Sequence, residues 1–176
     1  MSNKTQLQTN NTNLDALITR VEAAKDVATK EDATQAEVDA ALKTLDDAFK
    51  AYAEALRWFP NAFPVLLELA NIAMAKKDFE KVPTIISAAQ KYCFINSELA
   101  RCFRAIGYYG IMVENFRLAM AGYLTSTIFD KTTDVKKEWS LAATKLGQTT
   151  FTPLTPDESK QELEKVGMLF GGNVQI

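Results

Sequence analysis

Two arginines three positions apart, Arg101 and Arg104 in ELARCFRAIG, are the residues of this chain best suited to holding a ligand. On a helix that spacing puts both guanidinium groups on one face. A guanidinium fork pairs with a carboxylate through two hydrogen bonds. Local pairing with Glu98 or Glu114, or plain solvation, is the competing expectation. Catalysis has far less to work with. The chain has no histidine, which removes the commonest general base, the Ser–His and Cys–His nucleophile pairs and His-containing zinc sites. Two cysteines, Cys93 and Cys102, are too few for a four-thiolate site. They have apolar neighbours and read as reduced core thiols, with a disulfide left open. The acidic pairs Asp46–Asp47 and Asp157–Glu158 come with no nucleophile and no glycine-rich phosphate loop, and read as solvated or helix-start charges. No P-loop, dinucleotide fingerprint, EF-hand loop or Cys-x-x-Cys occurs. The expectation is a protein that is not an enzyme and needs no cofactor or metal.

The elements that would position these residues are helices. Ala, Leu, Lys and Glu are plentiful, while Gly (7) and Pro (5) are scarce in 176 residues. A first helix is expected from Asn13, with Leu14, Leu17, Ile18, Val21, Ala24 and Ala28 on one stripe. Thr34 caps a second, with Glu37 completing a capping box; its stripe runs from Val38 to Leu56, and the helix extends to about Trp58 before Pro60 stops it. A third covers about 64–76, apolar almost all round and so buried between neighbours. A fourth covers about 79–92, bent early by Pro83. A fifth covers about 97–106, and GYYG, residues 107–110, is expected to be a turn. A sixth covers about 111–125, a seventh about 134–146 with Gly147 as its stop, and a short eighth opens on the capping box Thr155–Pro156–Glu158. Tyr108–Tyr109 and Trp58–Phe59 are expected in the core, and Trp139 on a stripe with Val135, Ala142 and Leu146. No strand-period segment is present.

The chain repeats itself. ELANIAMAKKDFEKVPTIISAAQKY lies over ELARCFRAIGYYGIMVENFRLAMAGY at a shift of 30, so that Glu68, Leu69 and Ala70 fall on Glu98, Leu99 and Ala100, and Phe79 falls on Tyr109. DAFKAYAEALRWFPN lies over KVPTIISAAQKYCFIN at a shift of 34, placing Ala48 on Val82 and Tyr52 on Ile86. Over roughly residues 45–125 this resembles the tetratricopeptide repeat family, whose helix–turn–helix units are about 34 residues long. Residues 33–48, ATQAEVDAALKTLDDA, also resemble a helix of bacterial surface three-helix modules of the FIVAR type. The main resemblance implies an all-α fold, antiparallel helix pairs stacked as a short TPR-like solenoid or bundle. First helices would line a concave face. In this sequence that face would carry Leu67, Asn71 and Met74 from one unit, and Ser97, Arg101, Arg104 and Ala105 from the next. Arg101 and Arg104, with Asn71 nearby, would grip a carboxylate or an acidic segment.

The organisation expected is a polar arm (1–12), a helical-repeat domain (13–146), a Thr/Pro linker (147–155) and a short helix with its tail (156–176). The arm is too polar to fold alone. It also lacks the apolar stretch of a secretory leader. A net charge of −2 without a basic stripe argues against a general nucleic-acid binder. The most apolar window, 58–75, is broken by Pro60, Pro64 and Glu68 and is not a membrane span. The expectation is a cytoplasmic protein, or a virion component, whose partners are proteins. It is a structural or adaptor component of a larger assembly, such as a bacteriophage virion or bacterial complex. The alternative is an adaptor or chaperone that takes an acidic peptide in its concave groove.

Overall fold

The computed structural model describes residues 16, 18–27, 30–58, 62–132, 134–147 and 152–170. Among them every regular element is a helix. The elements are α1 (18–27), α2 (Gln35–Trp58), α3 (Phe63–Ala75), α4 (Val82–Gln90), α5 (Asn96–Met112), α6 (Phe116–Phe129), α7 (Lys136–Lys145) and α8 (Pro156–Glu164). Each helix from α2 to α6 packs on the one after it, and α3 also touches α5 while α6 touches α8. The 1–12 arm, Phe59, Pro60 and the side chain of Trp58 lie outside the described residues.

Local chemistry sets most helix starts. Thr34 and Glu37 form the expected capping box: the Glu37 amide donates to Thr34 Oγ1 at 3.3 Å, and the Thr34 amide donates to Glu37 Oε2 at 2.8 Å. Those bonds hold the Glu37 carboxyl below its ordinary range. Thr155 and Glu158 repeat the device at α8, with Pro156 in the first turn. Pro83 does not bend a helix that begins at Phe79. It lies in the first turn of α4, where a missing amide leaves no bond unmade. Before it, Lys77 takes a positive φ of 61° and turns the chain after α3.

GYYG is not a turn. α5 runs straight through it to Met112, and the connection to α6 is only residues 113–115, with Glu114 at φ 57°. Asn115 starts α6, its side chain accepting from the Leu118 amide at 3.1 Å. The glycines serve helix crossing instead. A Cβ on Gly110 would stand 2.6 Å from the Ala119 backbone nitrogen, and one on Gly122 would stand 2.6 Å from that of Gly107. Only residues without a Cβ let α5 and α6 approach this closely. Phe103 and Ile106, wholly buried, fill the space beside the crossing.

One apolar cluster joins α3, α4, α5, α6 and α8, with Met74, Ile86, Leu99, Phe103, Leu118, Leu163 and Met168 all at 1 % exposure or less. A second joins α1 and α2 to α3 through Val21, Leu45, Tyr52 and Ile72. A third, around Met120, Tyr123, Val135 and Ala142, seats α7, with Trp139 packed against it. Cys93 and Cys102 lie in the first cluster, fully buried, with their sulfurs 3.6 Å apart. The contact with Cys93 and burial together push the Cys102 thiol far up.

Candidate functional site: the open face of α3 and α5

α5 carries Ser97, Arg101, Arg104 and Tyr108 at helical spacing of four, three and four residues. Ser97, Arg101 and Tyr108 are exposed and Arg104 is half-buried. The other side of the same helix buries Leu99, Cys102, Phe103 and Ile106. One face of α5 is therefore closed into the core and one is open. The Arg101 guanidinium lies 5.3 Å above the Phe63 ring of α3, a cation–π contact that holds the side chain across the two helices. Neither Arg101 nor Arg104 forms an ion pair among the described residues, unlike Arg57 with Glu54 or Arg117 with Glu158 and Glu162. Glu98 does not neutralise them: its carboxylate accepts from the Phe94 amide at 3.1 Å, closing the turn before the helix.

Beside this row lies a pocket of about 150 Å³, lined by Lys25 of α1, Asn71, Met74 and Lys77 around α3, and Tyr108 and Met112 of α5. Its floor is apolar and its rim is polar. Asn71 donates to Glu68 Oε1 at 3.2 Å, and Lys25 pairs with the other Glu68 oxygen at 3.1 Å. Glu68 thus ties α1 to α3 and fixes one wall. Tyr109 points elsewhere and meets Phe79 edge-on, ring centroids 6.4 Å apart.

The structure divides the residues singled out in the sequence. Ser97, Arg101 and Arg104 share the open face of α5, and Asn71 faces it from α3. Leu67 does not belong there: at 4 % exposure it is enclosed in the main cluster. Met74, at 1 %, offers only the floor of the pocket. Tyr108, expected inside, is 46 % exposed and stands at the rim. Phe94 and Ile95 were not anticipated as surface residues. They are 76 % and 56 % exposed in the turn that leads into α5. The available signal was two large apolar residues where a tight turn ordinarily has Gly, Asn or Asp.

Chemically the face combines two guanidinium groups with no ion pair among the described residues, a hydroxyl, an apolar pocket and two exposed apolar side chains. That set can hold carboxylates and apolar side chains together. It contains no nucleophile paired with a base. Among the described residues no group of His, Cys, Asp and Glu could hold a metal ion, and no helix is long and apolar enough to cross a membrane. No family model matches the chain, and no curated protein or solved structure shows significant similarity to it.

Proposed function

We propose that this chain is a non-enzymatic protein–protein interaction module that takes an acidic, partly apolar segment of another protein on the open face of α3 and α5. One observation carries the reading: Arg101 and Arg104 sit on one helix face, form no ion pair among the described residues, and lie near an apolar pocket. A guanidinium without an ion pair keeps its in-plane N–H groups available for bidentate recognition of a carboxylate. In the same reading the helices form a short TPR-like stack. Three features support this: each helix from α2 to α6 packs on the one after it, α3 and α5 touch across the pair boundary, and repeat-equivalent residues share their burial, as Leu69 with Leu99 and Ala70 with Ala100 do.

A second reading is a structural subunit of a larger assembly. It is favoured by the polar N-terminal stretch 1–12 and the Thr/Pro-rich stretch 147–155 of the sequence. Affinity purification of the tagged chain from its native source tests both. Three baits run in parallel: the intact chain, an Arg101→Glu/Arg104→Glu variant, and a chain lacking residues 1–12. A partner lost only with the charge-reversed bait supports the α5 face. A particle lost only with the shortened bait supports the subunit and overturns the α5 face.

A further inference from the structure

Cys93 and Cys102 carry the only thiols of the chain, and the fold brings them together. Cys93 follows the end of α4, and Cys102 lies within α5. Both are wholly buried, and their sulfurs are 3.6 Å apart. The Cys93 thiol also donates to the Ala89 carbonyl at 3.6 Å, which leaves its sulfur to accept from Cys102. The two sulfurs are held from different sides. The Cys93 amide donates to the Gln90 carbonyl at 3.2 Å. The Gln90 side chain, itself buried, grips the exposed Leu169: its oxygen accepts from the Leu169 amide at 2.9 Å and its nitrogen donates to the Leu169 carbonyl. Cys102 sits on the side of α5 that buries Leu99, Phe103 and Ile106. Two thiols placed this way have already given up the chain freedom that joining them would cost an unfolded chain.

We propose that Cys93 and Cys102 are a redox latch, closing to a disulfide across the α4–α5 turn when a small-molecule disulfide such as oxidised glutathione is in excess. Sulfurs 3.6 Å apart reach the bonded length of about 2.05 Å if each moves by roughly 0.8 Å. The chemistry is two exchanges. One cysteine sulfur, deprotonated, attacks the oxidant's disulfide and releases one glutathione as its thiol. The other cysteine sulfur then attacks the mixed disulfide at the protein's sulfur, which forms the Cys93–Cys102 bond and releases the second glutathione. The protein loses two protons and two electrons, and the oxidant gains both as two thiols. Burial sets the course. The closed fold shields both sulfurs, so exchange waits for the turn to open. A glutathione attached to either sulfur has no place in the closed core, so the mixed disulfide resolves instead of accumulating. The latched turn presents the exposed Phe94 and Ile95. The bond holds that apolar pair against α5 in the oxidised chain and leaves it freer in the reduced one. The inference uses neither Arg101 nor Arg104 and does not rest on the partner proposed for them.

The test compares how readily the bond closes in the folded and the unfolded chain. The full-length protein is equilibrated at graded ratios of reduced to oxidised glutathione, in buffer and in denaturant, starting from both the reduced and the oxidised chain. Acid quenches each sample, free thiols are alkylated after unfolding, and the intact mass is read. A closed latch takes up no alkyl group and is lighter than the dithiol chain by two hydrogen atoms. The folded chain is expected to close the bond with an equilibrium constant about tenfold or more above that of the unfolded chain. By linkage the oxidised chain then melts at a higher temperature than the reduced one, and dithiothreitol reverses the rise. Amide exchange at residues 94–96 should slow in the oxidised chain. An equal or smaller constant in the folded chain overturns the latch, because the fold would then resist the bond. So does accumulation of a glutathione adduct, or of chains linked to each other, in place of the internal bond. Cys102→Ala, which cannot close the bond, should show no rise in melting temperature with oxidant; the same rise in that variant also overturns the proposal.

Discussion

Arg117 and the pair Arg101/Arg104 are the same side chain in opposite circumstances. Arg117, on α6, faces Glu158 and Glu162 of α8, and Lys165 joins the same cluster at 2.9 Å from Glu162. Arg101 and Arg104, on α5, face no carboxylate among the described residues. Among the described residues, one region pairs its arginine with carboxylates and the other does not. The difference separates a surface that completes the fold from one that is open to a partner. Both depend on the glycine crossing of α5 and α6, which fixes the helices that carry them.

The sharpest way to break the comparison is to remove that shared frame. Gly122→Leu puts a side chain where a Cβ alone would lie 2.6 Å from backbone. It should destabilise the chain by about 3 kcal/mol or more, seen as a large fall in melting temperature. Next, Leu163→Ala opens a cavity under α8 and should cost about 2–4 kcal/mol in denaturant unfolding. If it costs much less, α8 is not part of the core as its burial indicates.

The same charge reversal applied to both regions sharpens the contrast further. Arg117→Glu should cost about 1 kcal/mol in thermal unfolding, because Arg117 is half exposed while its partner Glu162 is nearly buried, and should raise amide exchange in α8. Arg101→Glu/Arg104→Glu should leave stability within about 0.5 kcal/mol and abolish partner capture. Equal effects of the two reversals on stability would erase the distinction. Acid gives a milder version. Burial pushes the Glu162 carboxyl up, but its bonds to Lys165 and Arg117 outweigh this and hold it below its ordinary 4.5. Its contribution to stability is therefore present above the unfolded value. It is lost as pH falls through the lower folded one. Protection from exchange in α8, relative to the intrinsic rate at each pH, should fall below about pH 4.5, before protection in α5 does. The smallest effect expected is on the thiols: Cys93 and Cys102 should resist iodoacetamide at pH 8 in the native chain and react on unfolding.

What was legible in the sequence is what depends on near neighbours along the chain. The capping boxes at Thr34–Glu37 and Thr155–Glu158 need only four residues each, and both formed as expected. The apolar stripe of α3 was correctly read as buried nearly all round. GYYG was misread because the need for glycine there comes from the α6 backbone, not from any turn. Placing Tyr108 outside and Tyr109 inside depended on the rotation of α5, which that misreading hid. For the candidate site, the two arginines were legible from their spacing. The burial of Leu67 was not, since nothing local tells which side of an all-apolar helix meets its neighbours. The bond between Gln90 and Leu169 spans 79 residues and leaves no local pattern at either end.

That bond also shapes which substitutions the chain can accept over generations. Gln90 grips the main chain of Leu169 and not its side chain, so almost any residue but proline can occupy position 169 without loosening the grip. Gln90 has no such latitude: a glutamate there would keep the acceptor and lose the donor, and an alanine would lose both. A scan of all substitutions should therefore be nearly flat at a conspicuous surface leucine and steep at an uncharged glutamine hidden beneath it.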